Sequence, residues 1–264
     1  MPFCVQYNRM GAKPNRALPV RSPDPQRNMS LSNDPTGTDP IILVHGAWLG
    51  EWCWDRVRRE LGNVGISSET VSLTGHGARR LEGGPHVTLT HHVADVISAV
   101  DGLGLGRVTL VGHSYGGRVI TRVAAEIPES VGRLIYLDAH APTAPDVNPL
   151  DERRAIAAAN GGMIPFAGFR VDDGVLDGEM SIDTFLAGIS DQSFATLEEP
   201  WQSQPAEHIH LDYIAVDGPE SAFFAPYAEG AAADPRWHLH RIDGPHLVTF
   251  AGASDIARII TRDN

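Results

Sequence analysis

Two hydrophobic patterns alternate over most of the chain. Short runs that are apolar throughout, such as IILVH at 41–45, are typical of strands that are covered on both faces. Longer segments repeat their apolar residues at helical spacing, and EWCWDRVRREL places Trp54, Val57 and Leu61 on one side of a helix. Strands that alternate with helices in this way predict a mainly parallel central sheet, flanked by helices and joined by right-handed crossovers.

The same alternation predicts the other elements, up to about residue 140 and again from residue 208. The predicted strands are ISSETVSL, RVTLVGH, VGRLIYLDA, HIHLDYIAV and RWHLHRI. The predicted helices are TLTHHVADVISAVDGL, GGRVITRVAAEIP, SAFFAPYAEGAAA and SDIARII. Thr88 or Thr90 is the expected N-cap of the first of these helices, and Pro128 ends the second.

A long interruption separates the two parts of this pattern. Between residues 141 and 207, Pro, Gly and Asp are frequent, and the amphipathic pieces are short, for example DERRAIAAAN and IDTFLAGI. An insertion between two strands of a parallel sheet lies over their carboxyl ends, where open α/β sheets bind ligands. We therefore expect residues 141–207 to form an inserted helical lid over a ligand site.

The first 39 residues differ in composition from the rest. They are rich in Pro, Asn, Ser and Asp and have almost no apolar periodicity, which predicts a disordered leader. They lack the apolar core of a secretory signal peptide, so export is not indicated, and Met29 is a candidate native start. Residues 40–264 are expected to form one α/β domain, a size that buries a substantial core.

The chain is acidic. Its 264 residues include 21 Lys and Arg against 33 Asp and Glu, a formal net charge of -12. A negative surface repels nucleic-acid phosphates and anionic lipids, and no apolar run approaches the roughly 18 residues needed to cross a bilayer. Of the two cysteines, Cys4 and Cys53, the first lies in the leader, so no disulfide framework is indicated. We expect a cytoplasmic protein without nucleic-acid or membrane partners.

The segment GHSYGG, residues 112–117, lies where a predicted strand turns into a predicted helix. A sharp turn at this junction holds its central residue in a strained backbone conformation and requires small neighbours two residues away on each side. Such a turn would lift the hydroxyl of Ser114 clear of the sheet, at the positive end of the following helix. The pattern indicates a serine nucleophile.

A serine hydroxyl is a weak nucleophile unless a base lies next to it. The chain has 12 histidines, and His246 is the strongest candidate for this base. It follows the last predicted strand in IDGPHLVTF, where a loop can bring its imidazole over Ser114.

The other histidines are expected to have other roles. Three at predicted strand ends or in loops are expected to be structural: His45, His76 and His113. Two at the start of a predicted helix are expected to be solvated: His91 and His92. Two pairs are spaced to share one face of a strand: His208 with His210, and His238 with His240. No cysteine or acidic cluster joins these pairs, so no metal site is expected.

A histidine base needs a carboxylate that fixes its tautomer and stabilises the imidazolium. Asp138 ends the strand that follows the strand of Ser114, and Asp217 ends the next one. Both would point into the same crevice, and both fit the chain order serine, acid, histidine.

Several motifs together resemble the α/β-hydrolase superfamily. They are LVHGAWLGEWCW, TGHGARR, VGHSYGG, IYLDAHAP and DGPH. More narrowly, the chain is similar to the compact branch that contains plant methyl esterases, hydroxynitrile lyases and bacterial pyrethroid- or carbamate-cleaving esterases. The resemblance extends over residues 40–264 and is weakest across the lid. It implies an α/β-hydrolase domain over that range.

The resemblance also implies an oxyanion hole. In this family the loop after the first core strand carries His-Gly-x, and the two oxyanion donors are backbone N–H groups. Here they would belong to Ala47 and Tyr115, and they would converge on the oxygen that becomes negative. Trp48 and the side chain of Tyr115 would then be walls of the substrate pocket, whereas Trp52 and Trp54 are expected to pack in the core.

Two departures from the family pattern matter. Many members carry the acid a few residues beyond the penultimate strand, where this chain has VDGPESAFF. In that segment Asp217 comes somewhat early and Glu220 somewhat late. Asp138 is therefore favoured as the acid, and the other two remain alternatives. Related hydroxynitrile lyases have Thr after the first-loop His and Lys after the catalytic His, and this chain has Gly46 and Leu247 there.

These features predict a serine hydrolase that cleaves a small, largely apolar carboxylic ester or lactone through an acyl-enzyme, without a metal or an organic cofactor. An amidase or carbamate hydrolase with the same triad is the nearest alternative. A hydroxynitrile-lyase-like enzyme and a non-catalytic ligand-binding protein are more distant ones, since a fold alone does not fix a function.

Overall fold

The computed structural model describes residues 39–104, 106–166, 171–178 and 180–262. The predicted leader, with Met29 and Cys4, therefore lies outside the described residues except for Asp39.

The predicted strands are present, with shifts of one or two residues at their ends. The strands are β1 (Ile41–Val44), β2 (Ser68–Val71), β3 (Val108–His113), β4 (Val131–Leu137), β5 (Met163–Ile164), β6 (Gln192–Ser193), β7 (His210–Asp217) and β8 (Trp237–Asp243). Six of them form one parallel sheet in the order β2-β1-β3-β4-β7-β8. The parallel sheet predicted from the alternation is confirmed.

Ten α-helices connect or follow the strands of the described chain. They are α1 (Asp55–Asn63), α2 (Leu89–Leu103), α3 (Gly116–Glu126), α4 (Leu150–Ala159), α5 (Asp173–Leu176), α6 (Ile182–Gly188), α7 (Ala195–Glu198), α8 (Ala225–Ala233), α9 (Val248–Ala251) and α10 (Ala253–Ile260). Among the described helices, not one has both the length and the apolar character that a bilayer span needs.

The sheet is covered by helices on both faces, which explains why its inner strands are apolar throughout. Along β1 the side chains alternate between two separate clusters of buried residues. Ile42 and Val44 belong to the cluster that contains apolar residues of α2, α3 and α8. Ile41 and Leu43 belong to the one that contains residues of α1, α9 and α10.

The register of the sheet brings three chain segments together at one edge. Val44 of β1 is paired with Gly112 of β3, and His113 of β3 with Leu137 of β4. The residues that follow these strands therefore emerge side by side. This edge is where the sequence-predicted nucleophile and acid lie.

The inserted segment contains α4 to α7, but it is not purely helical. Strands β5 and β6 pair antiparallel, with Met163 opposite Ser193 and Ile164 opposite Gln192. The expected helices of the insertion are thus present, and the short strand pair was not predicted because a strand of two residues has no periodicity that a sequence pattern can reveal.

Two further elements differ from the sequence prediction. The helix predicted from SAFFAPYAEGAAA begins as a 3-10 helix, Pro219–Phe224, and only its second half is the α-helix α8. Pro226 lies in the first turn of α8 and has no N–H, so a continuous α-helix would lack one hydrogen bond there. The strand predicted from residue 208 begins at His210.

Candidate active site

Ser114 occupies a strained turn between β3 and α3. Its φ is 54°, in the left-handed region that non-glycine residues rarely adopt. A Cβ on Gly112 would lie 2.7 Å from the carbonyl carbon of Gly116, and one on Gly116 would lie 2.6 Å from the carbonyl oxygen of Val44. The predicted requirement for small residues on both sides of the serine is therefore confirmed.

His246 and Asp138 form a buried hydrogen-bonded pair. Nδ1 of His246 lies 2.7 Å from Oδ2 of Asp138, and the two residues are 1% and 2% exposed. Asp138 follows β4 directly, and His246 lies in the loop after β8. Because the carboxylate accepts, Nδ1 carries the hydrogen, and Nε2 is left as the nitrogen that can act as a base.

The two alternative carboxylates lie elsewhere. Asp217, at the end of β7, is exposed and forms an ion pair with Arg241 at 2.7 Å. Glu220 accepts a hydrogen bond from the backbone N–H of His246 at 3.3 Å rather than from its ring. Of the three carboxylates that the sequence left open, Asp138 is the one at the imidazole.

Ser114 and His246 face the same small cavity. Its volume is about 10 Å³, room for a single water molecule. The residues that line it are Gly46, Ala47, Trp48, Leu49, His113, Ser114, Phe166, His246 and Leu247. Trp48 and Ala47, predicted as a wall residue and an oxyanion donor, thus both line this cavity.

The loop after β1 is held by a buried histidine. Leu73 N–H donates to Nε2 of His45 at 3.2 Å, so Nδ1 carries the hydrogen and donates to the carbonyl of Gly46 at 2.8 Å. Burial lowers the pKa of His45, which keeps the ring in this neutral tautomer. The expected structural role of this histidine agrees with its contacts.

Tyr115 lies at the junction between the turn of Ser114 and α3. It directly precedes α3, so its N–H is one of the N-terminal groups that lack an intrahelical acceptor. Its side chain, predicted as a pocket wall, contacts His92 and is not among the residues that line the cavity of Ser114 and His246. The ring is 3% exposed, and its hydroxyl donates to Nδ1 of His92 at 2.9 Å because Nε2 of His92 donates to the carbonyl of Thr74.

His92 itself was expected to be solvated and is fully buried. Its position at helical spacing from Leu89 and Val96, which also face the core, is the signal that the sequence analysis missed. Burial lowers its pKa to about 4, so the ring is neutral near pH 7.

His113, next to the serine, contacts the loop of the predicted base. Its Nε2 donates to the backbone carbonyl of His246 at 2.9 Å, and the two ring centroids are 4.7 Å apart. Burial, reinforced by the nearby His246 ring, lowers the pKa of His113 well below the usual value. A neutral ring therefore supports the backbone of His246.

The histidine pairs considered for a metal do not form such a site. His208 precedes β7 and contacts the carbonyl of Pro128, so it does not share a strand face with His210. His240 contacts Asp212 at 2.7 Å, a carboxylate that also pairs with Arg133. Among the described residues, no group of three or more His, Cys, Asp or Glu side chains is arranged to hold a metal ion.

The family model described as "Alpha/beta hydrolase family" matches residues 41–259 of this sequence. The chain belongs to the alpha/beta hydrolase family. The fold and the superfamily expected from the sequence are confirmed. The alpha/beta hydrolase match includes the segments that carry Ser114, Asp138 and His246.

Similar proteins include hydrolases of esters. The chain is 44% identical over 102 residues to a carbendazim hydrolyzing esterase of Nocardioides sp. (strain SG-4G), a match that covers 39% of this chain and 42% of that protein. It is 32% identical over 98 residues to putative methylesterase 12, chloroplastic, of Arabidopsis thaliana, covering 37% and 28%. The chain thus spans less than half the length of these curated relatives.

Solved structures share the fold over a longer range. The crystal structure of the pyrethroid hydrolase PytH with BIF has a TM-score of 0.62 and 25% sequence identity to this chain. The superposition covers 84% of this chain and 96% of that structure.

Proposed function

We propose that the protein is a serine hydrolase that cleaves a small, largely apolar carboxylic ester or lactone through an acyl-enzyme. One observation carries the proposal. The 2.7 Å contact between His246 and Asp138 leaves Nε2 of the same imidazole to act as the base, in a ring that shares a cavity with Ser114. A nucleophile, a base and an acid in one buried site are the elements of acyl transfer.

In the proposed reaction, Ser114 attacks the carbonyl carbon while Nε2 of His246 accepts the proton of the hydroxyl. Asp138 keeps the imidazole in the required tautomer and stabilises its charged form. The backbone N–H groups of Ala47 and Tyr115 donate to the oxyanion. His246 then returns the proton to the departing alcohol, and water repeats the sequence on the acyl-enzyme.

The walls of the cavity favour an apolar substrate. The side chains of Trp48, Leu49, Phe166 and Leu247 line it, and Phe166 belongs to the inserted segment. Because a volume of about 10 Å³ does not admit an ester, we infer that the cavity widens when substrate binds. The ester-cleaving relatives from Nocardioides and Arabidopsis support the same reaction class.

A fluorophosphonate label tests the nucleophile without knowledge of the substrate. We expect the wild-type protein to be labelled on Ser114 and to hydrolyse p-nitrophenyl acetate, since both reactions need only the activated hydroxyl. Ser114→Ala should abolish both, measured by peptide mass spectrometry and by release of p-nitrophenol. Ser254→Ala removes an exposed hydroxyl on α10 and should change neither.

Two results would contradict the assignment. Hydrolysis by Ser114→Ala within a few-fold of the wild type would mean that another group is the nucleophile. A folded wild-type protein that takes no label would favour a non-catalytic ligand-binding protein on the same fold.

A further inference from the structure

The 3-10 helix Pro219–Phe224 contacts both members of the His246–Asp138 pair. Glu220 accepts from the backbone N–H of His246 at 3.3 Å. The ring of Phe224 stacks on the imidazole, with centroids 4.7 Å apart and planes inclined by 9°. A third residue of the same helix, Ser221, contacts the carboxylate of Asp138. Three residues of one short element thus contact the proposed acid and base.

The hydroxyl of Ser221 lies 2.5 Å from Oδ2 of Asp138, and Ser221 is 4% exposed. A carboxylate only accepts hydrogen bonds, so the hydroxyl donates. The same oxygen accepts from Nδ1 of His246. Ser221 itself is tied to its loop, because its N–H donates to the carbonyl of Gly218 at 3.1 Å.

Two donors on one oxygen restrict the orientation of a carboxylate. A hydrogen bond to a charged acceptor is short and about twice as strong as one between neutral groups. Rotation of the Asp138 carboxylate that replaced Oδ2 by Oδ1 would break both contacts at once. A buried carboxylate with fewer donors would also raise the free energy of the folded state, since its charge has little access to water.

We propose that Ser221 is a positioning residue of the active site: its hydroxyl holds the carboxylate of Asp138 in the orientation that His246 requires. This inference deepens the proposed function and, for its kinetic part, rests on it. Nothing in the sequence marks this serine, because the residues around it are predicted to form an ordinary helix.

The surroundings of Ser221 allow a conservative replacement. Ser221 and Asp138 line a second cavity, of about 260 Å³, together with Asp217, Glu229 and Arg241. The extra methyl group of a threonine therefore has space beside the hydroxyl. The same cavity lets water approach Asp138 when the hydroxyl is removed, and water holds a carboxylate in no fixed orientation.

The test compares Ser221→Ala, Ser221→Thr and the exposed-serine control Ser254→Ala. With p-nitrophenyl acetate we expect Ser221→Ala to lower kcat by about tenfold or more, since a charge-assisted hydrogen bond is lost, while KM stays within about twofold. Ser221→Thr should restore most of kcat, and Ser254→Ala should leave both constants unchanged. Circular dichroism and thermal unfolding measure whether each variant is folded.

A second readout requires no substrate. The proton on Nδ1 of His246, bound to a carboxylate, gives a far-downfield NMR resonance that His246→Gln identifies by its loss. We expect this resonance to broaden or disappear in Ser221→Ala and to persist in Ser221→Thr. If the wild-type protein neither takes the label nor cleaves esters, the proposed function fails, and the resonance alone decides the role of Ser221.

The proposal would be overturned by a folded Ser221→Ala protein with an unchanged resonance. It would also be overturned by a loss of kcat that matches the loss of folded protein, or by a Ser221→Thr variant as impaired as Ser221→Ala although it is folded.

Discussion

Left-handed backbone conformations concentrate at the proposed active site. In the described part of the chain, four non-glycine residues have a positive φ, and three of them are Trp48, Ser114 and Asp138, with φ of 64°, 54° and 41°. Each conformation costs of order 1–3 kcal/mol and persists only where the surroundings impose it. The strain lies at the proposed pocket wall, at the proposed nucleophile and at the proposed acid.

Replacement of Asp138 tests which carboxylate is the acid of the proposed triad. Asp138→Asn keeps the volume but removes the charge that stabilises the imidazolium, and we expect kcat on p-nitrophenyl acetate to fall by about 10³–10⁴-fold. Asp217→Asn is the matched control, since Asp217 is exposed and pairs only at the surface with Arg241. Damage confined to Asp217→Asn would identify it as the acid instead.

The sequence predicts the roles of residues at the ends of elements better than the roles of residues inside a predicted helix. Ser114, Asp138 and His246 follow predicted strands, so the parallel sheet alone brings them to one edge. Asp138 could not be separated from Asp217 because the choice depends on side-chain direction, which no pattern records. The burial of His92 was missed although its helical spacing from Leu89 and Val96 indicates it, and Ser221 was missed because its role comes from a tertiary contact with Asp138.

At the scale of elements, the turn between β3 and α3 depends on the absence of a side chain. Gly112→Ala would place a Cβ 2.7 Å from the backbone of Gly116, where neither strand nor helix can move away easily. We expect loss of most labelling by a fluorophosphonate and a lower melting temperature. Gly62→Ala in α1 meets no atom within 4 Å and should be neutral or slightly stabilising.

One result for Gly112→Ala would contradict this prediction. If Gly112→Ala is labelled and unfolds like the wild type, the close approach between β3 and α3 does not limit the site. The control variant guards against a general effect of Gly→Ala replacement on the folded chain.

The inserted segment is anchored to α3 by a buried arginine. Arg118 is fully buried, and its Nη2 donates to Asp146 at 2.6 Å; its guanidinium carbon lies 5.1 Å from the ring centroid of Trp201. Trp201 also donates to Asp146 at 2.9 Å. Both ends of the insertion, at Asp146 and at Trp201, thus contact one cation, Arg118 of α3.

Removal of the charge of Asp146 should therefore weaken the folded state. Asp146→Asn leaves a buried guanidinium without its anion, and we expect a loss of about 1–3 kcal/mol in the free energy of unfolding, measured by urea denaturation. Asp151→Asn removes a fully exposed partner of Arg154 and should leave the urea midpoint unchanged. Equal midpoints for wild type and Asp146→Asn would show that the anchor does not stabilise the fold.

At the scale of the whole molecule, five histidines of the described chain are buried and have a lowered pKa. Burial is the largest cause that lowers the pKa of each of five rings: His45, His76, His92, His113 and His140. The unfolded chain binds protons at these sites near pH 6.5, whereas the folded chain does not. Protonation therefore favours the unfolded state.

Stability should fall as the pH decreases below about 6.5. With a folded pKa of about 4, His92 alone lowers the free energy of unfolding by about 2 kcal/mol between pH 8 and pH 5. We expect urea midpoints to decrease over this range, and His92→Gln to show a smaller decrease than the wild type. His86→Gln removes an exposed imidazole and serves as the control. Identical slopes for His92→Gln and wild type would contradict a neutral, buried His92.

Trp48 links the inserted segment to the loop that carries Ala47. Its indole N–H donates to the carbonyl of Ile164 at 2.8 Å, and its carbonyl accepts from the N–H of Ser190 at 2.9 Å. A substitution at Ile164 or Ser190 of the inserted segment thus acts on Trp48, the neighbour of the proposed oxyanion donor Ala47. We expect variants of the inserted segment that accept more esters to have a lower kcat. The exceptions are variants that still provide one hydrogen-bond acceptor and one donor to Trp48.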